Sequence, residues 1–84
     1  MAKDTDQYAQ ELLADALDCK GDDLRKALSY LDQAVMLRAS KHIKAHIYYH
    51  RSEIYRALRR IKEAQTDYDE AVKLNPHLQR YMAG

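Results

Sequence analysis

Backbone breakers are nearly absent from this chain. Its 84 residues include two glycines and one proline, with a single cysteine and no phenylalanine or tryptophan. So few turn-formers argue against a fold built of short strands and tight hairpins. Abundant Ala, Leu, Lys, Glu, Asp and Arg predict an all-α chain. Gly21 and the terminal Gly84 cannot together form a phosphate-cradling glycine loop. Cys19 cannot close an intrachain disulfide, which points to a reducing, cytoplasmic setting. It has no histidine near it in sequence, so it reads as a packing residue of an amphipathic helix rather than a nucleophile. No apolar run approaches the roughly 18 residues that cross a bilayer. The opening stretch MAKDTDQYAQ is acidic and polar, unlike a secretory leader. Neither an enzyme, a cofactor nor a membrane association is expected.

What is present fits one small folded domain: 46% hydrophobic and 32% charged residues. A chain of this size buries only about 60–65% of its unfolded surface, so its stability margin is thin. The formal net charge of +1 hides an uneven distribution. Residues 1–37 carry four Lys/Arg against eight Asp/Glu, a balance of −4; residues 38–84 carry ten against five, a balance of +5. That split is either two solvated faces of opposite sign or a dipole that meets an acidic partner or a second copy.

Apolar periodicity predicts four helices. The first runs from about Thr5 to Cys19, with Thr5 or Asp6 as N-cap, and has two adjacent rows, Tyr8-Leu12-Ala16 and Ala9-Leu13-Leu17. KGDD breaks it. The second runs from about Asp23 to Ser40, with Leu24, Ala27, Leu28, Leu31, Ala34, Val35 and Leu37 on its apolar face. The third covers about Ile43 to Leu58. The fourth covers Ile61 to Leu74 and stops at Asn75-Pro76, because a residue before proline is pushed out of the helical region. In the remaining tail, Leu78, Tyr81 and Met82 have helical spacing and could cap the last hairpin. Helices two and four align at an offset of 37 residues, with identities at Ala27/Ala64, Asp32/Asp69, Ala34/Ala71, Val35/Val72 and Leu37/Leu74. Such an offset is the mark of stacked helical hairpins.

Within residues 43–76 the places that a tetratricopeptide repeat reserves hold Tyr48, Arg51, Ser52, Tyr55, Ala64, Tyr68, Ala71 and Pro76, and every gap fits. This half resembles that family strongly. Arg51 departs from its leucine; its stem could cover the core while its head reaches water or a partner. Residues 5–40 resemble it less. Gln10, Leu13, Ala14, Leu17, Ala27, Leu31, Ala34 and Ala39 fall in the corresponding places if GDD carries one extra residue. A register with Ala9 and Ala16 as the small pair needs a one-residue deletion instead. The insertion is preferred because it puts Gly21 at the turn. Residues 77–84 form a cap or stub.

The resemblance implies a fold of two stacked antiparallel hairpins, a short α-solenoid, working as a protein-binding scaffold. The first helix of each hairpin would line a concave groove. The second repeat would then offer His46, Tyr49, Glu53, Arg56 and Ala57, with His50 beside them, and the first repeat Tyr8, Glu11, Asp15, Asp18 and Cys19. Tyr49 and Tyr8 would anchor apolar groups, Arg56 with His46 and His50 would take acidic ones, and Glu53 would orient them. Relatives that grip a terminal carboxylate use asparagines that this stripe lacks.

Other readings compete for the same residues. His42, His46 and His50 recur at every fourth position, and such a row can chelate a metal or sense protons. No Cys or Asp cluster backs a metal, and none is expected. His42 is assigned to the turn between repeats. RALRRIK holds Arg56, Arg59, Arg60 and Lys62, which could touch nucleic-acid phosphates, but acidic residues follow at once and the pI is only 7.9. Two repeats are few for a solenoid, so self-association into a homo-oligomer is the runner-up function.

Overall fold

The computed structural model describes residues 4–79. Among them are four α-helices and one 3₁₀ turn, and no strand. The helices are α1 (Thr5–Cys19), α2 (Leu24–Val35), α3 (Lys41–Ala57) and α4 (Ile61–Leu74), followed by the turn Pro76–Leu78. α1 packs antiparallel on α2 and α3 on α4, and the first hairpin lies against the second mainly through α2 and α3.

Helix ends follow local chemistry. Asp4 stands at the N-cap of α1, so Asp6 falls in the first turn. The Asp23 carboxylate caps α2 by accepting the Lys26 N–H at 3.0 Å. α2 stops at Val35, not at Ser40 as its propensity suggests. Met36 and Leu37 donate back only three residues, to Gln33 and Ala34. The chain then leaves the helix so that Leu37 and Ala39 pack on the core. The Ser40 N–H donates to the Asp6 carboxylate at 2.7 Å, fastening the inter-repeat turn to α1. Tertiary contact here overrides helix propensity. α3 in consequence starts at Lys41, so His42 belongs to its first turn and not to the connection. α4 ends at Leu74, since Asn75 is extended before Pro76, and the Asn75 side chain accepts the His77 N–H.

The core is continuous across the two hairpins. Ala9, Leu12 and Ala16 of α1, Ala27, Leu31 and Ala34 of α2, and Ile43, Ile47 and Ile54 of α3 are buried in one cluster. A smaller cluster joins Ala45, Ala71 and Leu78, with Tyr48, Tyr49 and Leu74 packed half-buried against it. Leu78 therefore closes the last hairpin; Tyr81 and Met82 lie outside the described residues. Ser52, Ala64 and Ala71 are buried, small residues where helices cross closely. The buried Ser52 hydroxyl is satisfied by donating to the Tyr49 carbonyl at 2.7 Å. Tyr48, Tyr55 and Tyr68 are half-buried rather than core.

Burial decides the register of the first hairpin. Ala9 and Ala16 are fully buried, as are Ala45 and Ser52 at the same seven-residue spacing in α3. Ala14 is exposed and Leu17 is 42% exposed. The first hairpin thus lacks one residue relative to the second, and the insertion register is wrong. Gly21 does lie in the turn between α1 and α2, without a positive φ, so its place there does not require the insertion. The residue with a positive φ is Arg59, at φ 64°, between α3 and α4.

Candidate functional site

Chemistry-bearing side chains gather on two sides of α3. On one side, Glu53 Oε1 accepts from Lys20 Nζ at 2.6 Å and meets His50 Nδ1 at 3.0 Å. Lys20 ends α1, so this chain of three crosses from the first hairpin to the second. The His50 ring stacks with His46 at 6.5 Å between centroids and meets Tyr49 edge-on at 5.2 Å. Burial lowers the His50 pKa below its ordinary 6.5, and the neighbouring Glu53 offsets only part of that. His46, Tyr49, His50 and Glu53 are thereby brought together on one face. Arg56 lies exposed one turn further along the stripe, since it follows Glu53 by three residues.

The expected α1 residues do not join them. On a helix of 100° per residue, Leu13, Leu17 and Lys20 flank the buried Ala9-Leu12-Ala16 row on one side, while Tyr8, Glu11 and Asp15 flank it on the other. Lys20 reaches Glu53, so the first flank faces the shared surface. With Ala9 matched to Ala45, Gln10, Leu13, Leu17 and Lys20 fall in the places of His46, Tyr49, Glu53 and Arg56. Glu11, Asp15 and Cys19 match Ile47, Arg51 and Tyr55, the face that α3 turns toward α2. The register that buries Ala9 and Ala16 turns Tyr8, Glu11 and Asp15 away from the surface that Lys20 and Glu53 share. The Cys19 thiol lies 3.3 Å from the Asp15 carbonyl and packs on the core.

On the opposite side of α3, Arg51 neither reaches for water nor points to a partner. Its Nε donates to Asp67 Oδ2 at 2.7 Å, its Nη2 to Asp67 Oδ1 at 2.9 Å, and its Nη1 to Asp32 at 3.1 Å. One guanidinium thus ties α2, α3 and α4. It also lies 5.8 Å from the Tyr48 ring centre and 5.5 Å from that of Tyr55. The hydrogen bond to Asp67 holds it protonated beyond its ordinary range. Asp67, only 3% exposed, was missed by sequence reading. The signal was there: Asp67 sits on the Ala64-Ala71 row, where an acid needs a buried cation. Arg60 also lies over the Tyr55 ring, 4.9 Å from its centre, and pairs with Glu63 at 2.6 Å.

Among the described residues no three of His, Cys, Asp and Glu come together as a metal-holding group. The Arg59-Arg60-Lys62 stretch is the turn between α3 and α4 and the start of α4.

Stacked helical hairpins define a helical-repeat architecture. The comparison with known families narrows that class: residues 45–78 match the tetratricopeptide repeat model, and this stretch is a tetratricopeptide repeat. The match takes in all eight pattern places from Tyr48 to Pro76. No curated protein and no solved structure matches the chain. Such a repeat marks a protein–protein interaction module, of a family that is typically non-catalytic. Among the described residues no helix is long and apolar enough to cross a membrane.

Proposed function

We propose that the chain is a non-catalytic adaptor that binds a partner peptide or helix on the face shared by α1 and α3. The observation that carries this is the Lys20–Glu53–His50 chain, which joins the first helices of the two hairpins along one surface. On the α3 side Tyr49 serves as the aromatic anchor and His46 and Arg56 meet acidic groups, while Glu53 orients the neighbouring His50 ring. On the α1 side Leu17, exposed and apolar, takes the anchoring place first given to Tyr8, with Leu13 half-buried behind it. Tyr and Arg supply large contact area and fixed donors, the qualities that concentrate binding energy. Capture of partners by immobilised wild type, compared with Tyr49→Ala and Arg56→Ala and read by mass spectrometry, tests the reading. Capture that both variants leave unchanged sinks it.

A second reading, self-association, draws on the −4/+5 charge split. Part of that split is consumed inside the molecule, since Arg51 pairs with Asp32 and Asp6 holds the Ser40 amide. Sedimentation at low salt and rising concentration separates the two; a monomer throughout removes self-association.

A further inference from the structure

The surface away from the α1–α3 face is a cleft between α2 and α4, floored by α3. It holds two hollows. One, of about 310 Å³, is lined by Tyr55, Lys62, Glu63 and Thr66 together with the Arg51–Asp67 pair. The other, of about 380 Å³, is walled by Arg25, Leu28, Leu58 and Arg60. Arg60 joins them, because it walls the second and lies over the Tyr55 ring of the first. Glu53 and Tyr55 are two residues apart on α3, about 200° around the helix, so this cleft and the adaptor face are on opposite sides.

We propose that this cleft is a second binding site, for an acidic peptide segment that carries an apolar side chain. Charge complementarity names the occupant. Asp32 and Asp67 are already taken by Arg51. Arg25 and Lys62 carry no ion pair among the described residues, and Arg60, which lies over the Tyr55 ring, is paired with Glu63 three residues along. Glu63 already shows what Arg60 binds: a carboxylate, which an incoming Asp or Glu can replace. Leu28 and Leu58 supply an apolar floor for an aliphatic side chain between acidic neighbours. A nucleic-acid backbone would use the cations but leave that floor empty, so the peptide is favoured.

The test uses a fluorescein-labelled peptide of alternating Asp and Leu at low ionic strength, with an Asn–Leu peptide and a single-stranded DNA oligonucleotide as the comparison probes. Anisotropy should show binding of the Asp–Leu peptide and not the Asn–Leu one. Arg25→Glu with Lys62→Glu, both exposed positions, should weaken it about tenfold or more, and Tyr49→Ala should leave it unchanged. Amide shifts of the wild type should move at Arg25, Leu28, Leu58 and Lys62; this readout stands even if the double variant folds poorly. Absence of binding, binding indifferent to the double variant, shifts at His46, Tyr49 and Glu53 instead, or an oligonucleotide that binds more tightly than the peptide would each overturn the proposal.

Discussion

Arg51 and Asp67 face each other across α3 and α4 as a two-pronged ion pair, with Nε–Oδ2 at 2.7 Å and Nη2–Oδ1 at 2.9 Å. The Asp67 side chain is 5% exposed and that of Arg51 17%, so the pair is nearly dry. Removing Arg51 strands the buried Asp67 carboxylate, so Arg51→Leu, although it restores the residue usual for the repeat, should cost about 3 kcal/mol. Asp67→Leu should cost less, because Arg51 keeps its bond to the half-exposed Asp32. The double variant should regain most of the loss, because two leucines pack without a desolvation cost, and Asp32 stays half in water. Urea denaturation of the four proteins closes the cycle. Single losses below about 1 kcal/mol, the size of a surface pair, would mean the pair is not a lock.

The turns within the two hairpins should respond in opposite ways to glycine. Arg59 sits at φ 64° where α3 ends, with the Arg60 N–H on the Tyr55 carbonyl and the Arg59 N–H on the Arg56 carbonyl. That is a Schellman closure whose left-handed residue is normally glycine. Arg59→Gly should add about 0.5–1 kcal/mol by relieving the Cβ clash. Gly21 has ordinary φ, and a Cβ there would meet nothing within 4 Å. Gly21→Ala should also stabilise, by about 0.4–1 kcal/mol, through the unfolded chain. Thermal midpoints of both variants check this, and a drop in either contradicts the turn geometry described.

The helices and the second repeat were legible because their signals are local and redundant. Seven spaced residues and a proline stop all agree, and the α1 and α4 bounds match at both ends. Three things were not legible. The end of α2 depends on the Asp6–Ser40 bond, a contact spanning 34 residues. The register of α1 depends on which of two adjacent rows is buried, and alanine at positions 9, 14 and 16 satisfies either pattern. Asp67 looked like one more surface acid, because its partner Arg51 lies sixteen residues away on a facing helix.

Stability should fall as the solution is acidified through the histidine range. Burial depresses the His50 pKa below 6.5 in the folded chain, while the unfolded chain keeps the ordinary value. The unfolded state therefore binds the proton first. The contribution is whole above about pH 6.5 and is lost as the pH falls toward the folded value. His50→Gln should flatten that part of the profile. Urea midpoints between about pH 7.5 and 5 measure it; parallel profiles for the two proteins would show that His50 does not titrate in this way.

The register of α1 makes a prediction of its own. If Leu17 and Lys20 line the adaptor face, an acid at position 17 sits beside Glu53 and repels it. It also removes an apolar side chain that is 42% exposed on that surface. Leu17→Glu should cut capture of the partner that wild type retains, by about tenfold for each 1.4 kcal/mol lost. Tyr8→Glu, an equally exposed position on the far flank of the same helix, should leave capture intact. Both changes lie outside the buried Ala9-Leu12-Ala16 row, so neither should unfold the chain, and far-ultraviolet dichroism verifies that. The reverse pattern, with Tyr8→Glu harmful and Leu17→Glu silent, would return the groove to the Tyr8-Glu11-Asp15 flank and leave the Lys20–Glu53 contact as a strut between repeats alone.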